Sequence, residues 1–291
     1  MPEKIAPFTI LLLARVANTT SRALVMPLAE GKSYRDSFTR LDTAPSVVPA
    51  WWCTPGLSDE FDIPAGSIAY HPVFGEIRFH YSWYYASTRA LMEDLKAAED
   101  NPNISAHLIH IDSVGGEAYG CHEVFNVIKD LTKPCFAVVE SMAGSAGYYI
   151  AAACDKIYAA SPLSFVGCIG SMSILFNDEE WLKKMGYEKI ELYSNYSPLK
   201  NKVVNDALDG KTEEFVTKVI DPLALQFLAD VTSVRPIPED DDARKGEIYY
   251  AQDAMPHGLI DGIKGLDDAL EELVTAATPR QDLGLNNIPN L

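Results

Sequence analysis

Ser145 stands in the run ESMAGSAGYYIAAA, residues 140–153, where alanines and glycines crowd a hydroxyl at what reads as a strand-to-helix turn. Small neighbours there let a substrate backbone approach a nucleophile, and the opening of a helix stabilises negative charge beside it. Attack by a serine hydroxyl on a peptide carbonyl creates an oxyanion, which needs preorganised N–H donors. The residues suited to that task are Ala146, next to the serine, and Gly116, in a second small-residue turn, IDSVGGEAYG. Removing one such donor typically costs roughly 3 kcal/mol of transition-state stabilisation. The competing reading of GSAG is a close helix-packing site, which calls for the same small residues.

Other reactive side chains give less. His107 and His110 fall in a strand and His122 on the helix after the first glycine turn. None has an evident carboxylate partner in a known triad order, so all three are read as structural. Cys53, Cys121, Cys135, Cys154 and Cys168 are widely spaced, with no CxxC and no Cys/His cluster at metal-ligand spacing. They are expected to be reduced core residues of a cytosolic chain, and no metal or cofactor is expected.

Composition narrows the class. The 291 residues carry 24 Lys and Arg against 41 Asp and Glu, a formal charge of −17, which argues against a nonspecific nucleic-acid binder. At 47% hydrophobic residues the chain can build a sizeable core. The N-terminal FTILLLARVA is interrupted by Arg15 and followed by polar NTTSR, so it reads as an ordinary helix or strand rather than a signal peptide, and no membrane anchor is expected.

The elements that must position Ser145 come in alternation. Residues 1–63 are irregular, with prolines, glycines and the Trp51–Trp52 pair, and read as an arm. From Ser67, SIAYHPVFG reads as a strand and WYYASTRALMEDLKAAED as a helix. AHLIHIDS then reads as a strand, AYGCHEVFNVIKDL as a helix, KPCFAVVE as a strand, SAGYYIAAAC as a helix and DKIYAAS as a strand. This order predicts an α/β fold with crossover units on a largely parallel sheet. A long helical pattern follows near residues 212–234, and AQDAMPHGLIDGIKGLDDALEELV closes as helix, strand, helix. The main domain is expected over residues 64–276, with 277–291 a loose tail.

The order IDSVGG, SMAGSAGYYIAAACDKI, FVGCIGSM, a Lys-bearing loop and GEIYYAQDAMPHGLIDGI resembles the signal peptide peptidase A family of serine peptidases. That family lies within the wider caseinolytic protease and crotonase fold, built from repeated β-β-α crossover units. The similarity runs over about residues 64–275. It implies a serine endopeptidase with Ser145 as nucleophile and a lysine as general base. In the loop YSNYSPLKNKVVN that lysine is Lys200, with Lys202 as the alternative. Such a lysine needs burial or nearby positive charge to be neutral. The oxyanion donors become Gly116 and Ala146, and Gly115, Gly144, Gly147, Gly167 and Gly170 are the supporting turns. The family commonly has proline where Val114 stands, a departure that keeps both glycines.

A single copy of the domain implies a homo-oligomer in which Lys200 of one protomer serves Ser145 of the next. The arm VVPAWWCTPG and the helix RALMEDLKAAED are similar to phage and prophage head-maturation proteases. That branch implies a scaffold or capsid protein as substrate and the host cytoplasm or procapsid interior as location. The alternative within the family is a cellular peptidase of signal-peptide remnants. From other classes, an acyl-CoA enzyme of the crotonase type leaves Ser145 and Lys200 unexplained, and a non-catalytic shell protein leaves the turns without a purpose. Side chains lining the substrate pocket are expected among FVGCIGSMSILF and the helix from Trp83, favouring small or apolar groups at the cleavage site.

Overall fold

The computed structural model describes residues 47–53, 63–81 and 85–277. The N-terminal FTILLLARVA, the C-terminal tail and the side chains of Trp51 and Trp52 lie outside what is described.

The sheet begins with β1 (Val47–Pro49), β2 (Ser67–Arg78) and the two-residue β3 (Ala86–Ser87). Helix α1 (Thr88–Asp100) starts where the Ser87 hydroxyl accepts from the Ala90 N–H at 3.1 Å. That capping bond satisfies an otherwise orphaned donor and sets the helix start later than the apolar period of WYYASTRALM alone suggests. Next come β4 (Ile104–Gly116), α2 (Cys121–Lys129), β5 (Cys135–Gly144) and α3 (Ala146–Ala152). Strand β4 is buried along almost its whole length because both its faces are covered, the condition of a central parallel strand. The turn expected at VGG is the strand's own end, reaching Gly116.

Strands β6 (Lys156–Ala159), β7 (Phe165–Gly167), β8 (Ile248–Tyr250) and β9 (Gly262–Ile263) complete nine strands among the described residues. Their order is β1-β2-β4-β5-β6-β9, with β3 on β2, and β7 bridging β5 and β8. Every pairing is parallel except β7 with β8. The chain is therefore an α/β protein on a largely parallel sheet, with α1, α2 and α3 each linking successive parallel strands.

Helices cover both faces. On one, Val73, Ile77, Ile109, Ile111 and Val139 pack against α1, α2 and α3 and against Phe227 and Val231 of a later helix, Asp221–Val234. On the other, Ile68, Leu108, Phe136 and Val138 meet Leu270 and Leu273 of the last helix, Leu266–Ala277. Each buried aliphatic or aromatic side chain contributes about 1.5–3 kcal/mol. Tyr148 of α3 is fully buried and satisfies its hydroxyl by donating to the Leu259 carbonyl at 2.9 Å.

Residues 171–226 behave differently. They carry the short helices Glu179–Lys184 and Lys202–Leu208 and a π-helical stretch, Val216–Ile220, that runs into Asp221–Val234. Their apolar side chains are largely uncovered: Phe176 is 84%, Leu192 90% and Tyr196 96% exposed. All five cysteines are free, four of them buried. Among the described residues no helix is long and apolar enough to cross a membrane.

Candidate active site

Ser145 occupies the hinge between β5 and α3 with φ 50° and ψ −120°. A non-glycine residue at positive φ pays about 1–3 kcal/mol and persists where its surroundings over-determine it. Three contacts do so here. The Ser145 N–H donates to the Gly167 carbonyl at 3.0 Å, and the Tyr149 N–H returns to the Ser145 carbonyl at 2.9 Å. Gly115, itself at φ 105°, closes the third side. A Cβ added to it would fall 2.8 Å from Ser145 Cβ, 2.8 Å from the Gly144 carbonyl oxygen and 3.0 Å from the Ala146 nitrogen. Ser145 is partly exposed between buried Gly144 and Ala146, and its hydroxyl does not cap its own helix.

The other small residues set the same approach from different sides. A Cβ on Gly147 would come 3.3 Å from the Ser113 carbonyl oxygen, so α3 rides directly on β4. A Cβ on Gly144 would come 3.1 Å from the Val114 carbonyl oxygen. Gly167, at φ 114°, brings its carbonyl under Ser145 while the neighbouring Cys168 N–H donates to the Glu247 carbonyl at 2.8 Å. Gly170 has more room, with Gly246 Cα at 3.9 Å the nearest atom to an added Cβ.

In the first glycine turn the two glycines have different tasks. Gly115 abuts Ser145, and its N–H is taken by Ser113 Oγ at 3.1 Å, whose own hydroxyl donates to the Gly75 carbonyl at 2.5 Å. Gly116 lies against β2, where a Cβ would sit 1.9 Å from the Ile77 carbonyl oxygen. Glu117, next in line, donates its N–H to that same oxygen at 2.9 Å. Since N–H groups alternate in direction along an extended strand, the Gly116 N–H turns away from β2. Ser113 is a positioning residue that sequence reading passed over; its place in IDSVGG, directly before the glycine pair, was the available signal.

Lys200 stands apart from this cluster. It lies in the exposed segment, on the loop before Lys202–Leu208, and its own side chain is exposed. Lys202 bonds the Asp206 carboxylate, and that bond holds its ammonium above the usual lysine range, the reverse of what a general base requires. Lys133 is shifted the other way by burial, but its ammonium is spent on the carbonyls of Ala98, Glu99 and Asn101 at the end of α1.

His107, His110 and His122 each have a carboxylate partner that the sequence did not make evident, a pairing that leaves the reading of all three as structural untouched. His107 Nε2 lies 3.0 Å from Glu99, His110 Nε2 3.1 Å from Glu140, and His122 Nδ1 2.6 Å from Asp230. These partners come from other elements, so chain order hid them, and Ser145 belongs to none of the pairs. Glu140 is thereby engaged with His110, and Glu117 accepts the Phe79 N–H at 2.7 Å. The two carboxylates nearest the glycine turns thus have structural partners.

Comparison with known proteins gives the family. The model of peptidase family S49 matches residues 128–279, more than half of the chain, a stretch that holds Ser145 and Lys200 and begins after the first glycine turn. The chloroplastic serine protease SPPA of Arabidopsis thaliana is 28% identical over 186 residues, covering 62% of this chain and 27% of that protein. Protease 4 of Haemophilus influenzae is 25% identical over 203 residues, covering 66% of this chain and 32% of that protein. The chain spans about a quarter to a third of the length of these two relatives. Among solved structures, a ClpP1 mutant from Listeria monocytogenes aligns with a TM-score of 0.45 at 13% identity, over 69% of this chain and 94% of that one.

Proposed function

The chain belongs to peptidase family S49, and from that premise we propose that it is a serine endopeptidase with Ser145 as its nucleophile. The observation that carries this reading is the strained backbone of Ser145, at φ 50° on a strand-to-helix turn, with Gly115 pressed against its Cβ. Strain of that kind costs stability and exposes a hydroxyl where a peptide can reach it.

In the proposed reaction Lys200 takes the Oγ proton as Oγ bonds the scissile carbonyl carbon. The N–H groups of Gly116 and Ala146 hold the oxyanion. Collapse of the intermediate breaks the C–N bond, and the proton passes from Lys200 to the leaving amine. Water then attacks the acyl-serine by the same route, and the proton returns to Oγ. Lys202 is the poorer base because Asp206 stabilises its charged form.

Lys200 serves Ser145 of a neighbouring protomer in this reading. Its support is the segment 171–226, whose uncovered Phe176, Leu192 and Tyr196 are side chains that an isolated protomer leaves in water. A cyclic homo-oligomer would bury them and desolvate the lysine at once.

The substrate in our reading is a scaffold or capsid protein cut within a phage procapsid, supported by the likeness of VVPAWWCTPG and RALMEDLKAAED to head-maturation proteases. A cellular peptidase acting on signal-peptide remnants is the second reading, favoured by the name of a relative from Enterococcus faecium, a putative signal peptide peptidase. Wild-type and Ser145→Ala protein incubated with a fluorophosphonate, a scaffold protein and a synthetic signal peptide decide among these. Labelling and cleavage in wild type alone support the peptidase, and the substrate consumed separates the two readings. Failure to label wild type in its assembled state sinks the Ser145 mechanism.

A further inference from the structure

The side chain of Asp230 ties together three helices. It stands on Asp221–Val234, is 13% exposed, and accepts at Oδ2 from His122 Nδ1 of α2 at 2.6 Å and from the Tyr149 hydroxyl of α3. Its other oxygen accepts from Gln226 Nε2, one turn back on its own helix, at 3.0 Å. Asn126 Nδ2 donates to His122 Nε2 at 3.0 Å, so that nitrogen accepts and Nδ1 carries the proton given to Asp230. Burial, together with the Asp230 carboxylate, holds the Tyr149 phenol well above its ordinary range, so the hydroxyl keeps its proton and donates.

Each of the three helices adjoins a stretch that bears part of the proposed chemistry. Helix α2 follows the turn that holds Gly116. Helix α3 opens at Ala146, beside Ser145, and the Tyr149 N–H bonds the Ser145 carbonyl one turn in. The helix Asp221–Val234 is where the segment with Lys200 returns to the core, through buried Phe227 and Val231. Nucleophile, oxyanion donors and base thus lead into elements that meet at one carboxylate.

Apolar packing alone would hold these helices together without fixing their register. The Tyr149 ring lies on Phe227 with centroids 4.1 Å apart and planes 9° from parallel, a contact that changes little as one ring slides over the other. Helix α3 has seven residues, too few to be held by its own hydrogen bonds, so its rotation is set by what its side chains meet. Hydrogen bonds are directional, and those at Asp230 fix both the rotation of α3 and its height against the other two helices. An apolar side chain at 230 would avoid the cost of burying a charge, but it would leave that register open.

We propose that Asp230 is a positioning residue: through Tyr149 and His122 it sets α3, and with it Ser145 Oγ and the Ala146 N–H, against α2 and against the helix that closes the Lys200 segment. This role presupposes the peptidase reading. Asp230 touches no reacting atom and acts through α3, where a small misplacement of Oγ is costly to the reaction.

The test reads the reaction of Ser145 itself with a fluorophosphonate, in which Oγ bonds phosphorus and fluoride leaves. Full-length wild type and variants are compared in the assembled state, well below their melting temperatures, and saturation separates the maximal labelling rate from the affinity for the probe. Tyr149→Phe keeps the ring on Phe227 and removes only the bond to Asp230. It should lower the maximal rate about tenfold and leave the affinity within about twofold. Asp230→Ala should do the same, and combining it with Tyr149→Phe should take nothing further, since both remove one link. Asp230→Asn, whose amide oxygen still accepts from Tyr149, should restore most of the rate. Val231→Ala loosens the same helix without touching the cluster, so it should lower the melting temperature and leave the rate near that of wild type. An unchanged maximal rate in Tyr149→Phe, or an equal loss in Val231→Ala, overturns the positioning role. Absence of labelling in assembled wild type is a different result: it sinks the peptidase reading, and this role with it.

Discussion

Gly115 and Ser145 share a contact with no room for a methyl group: a Cβ on the glycine would lie 2.8 Å from the serine's Cβ. Strand β4 and the turn after β5 are thus locked together at a residue whose backbone is strained. Gly115→Ala combines this clash with a side chain at φ 105°. It should lower stability by about 2 kcal/mol and kcat/KM by more than tenfold, read from thermal melts and peptide hydrolysis on the same preparation.

Ser145→Gly and Ser145→Ala should both abolish hydrolysis, yet differ in stability. Glycine tolerates φ 50° without steric cost, so Ser145→Gly should be the more stable of the two by about 1 kcal/mol. Equal denaturation midpoints would mean that the turn carries no strain.

An equimolar mixture of inactive Ser145→Ala and Lys200→Ala protomers, unfolded and reassembled together, should regain activity. With random assembly and a site shared between neighbours, about a quarter of sites receive both intact residues. No recovery, with mixed oligomers demonstrated by mass, would place the base within the same protomer. Lys202→Ala should retain most activity, because Lys202 is already committed to Asp206.

Asp94 gives a pH signature. Its carboxyl is raised from 3.8 to about 6 by burial and by Glu93, so between those values the native state binds the proton more tightly than the unfolded chain. Stability from this group therefore falls as pH rises from about 4 to about 6. Asp94→Asn should be more stable than wild type at pH 7.5, by about 1 kcal/mol after allowing for partial solvation, and should show no advantage below pH 4. Denaturant midpoints at the two pH values check the sign.

Much of the framework was legible because the central strands carry short apolar runs, such as CFAVV in β5, and the helices between them keep a clear period. Cys121–Lys129 and Ala146–Ala152 fall inside the helices read from AYGCHEVFNVIKDL and SAGYYIAAAC. The short strands were not legible. Ala86–Ser87, Phe165–Gly167 and Ile248–Tyr250 have two or three residues each, and only their ladder partners make them strands. The turn bearing Ser145 could be read because small residues have few reasons to cluster there. His107 with Glu99 and His122 with Asp230 could not, since pairs 8 and 108 residues apart are set by packing alone. The fate of Lys200 was equally hidden, because an amphipathic segment has the same pattern whether its own core or another subunit covers it.

In the proposed shared-site reading, the uncovered segment from 171 to 226 would make hydrolysis a collective property. Below the concentration at which protomers meet, each copy would hold a serine and a lysine that never share a proton, and bystander proteins would go uncut. Where copies are crowded together, the act that hides Phe176 and Leu192 from water would also switch on the chemistry. Dilution would then serve the molecule as its inhibitor.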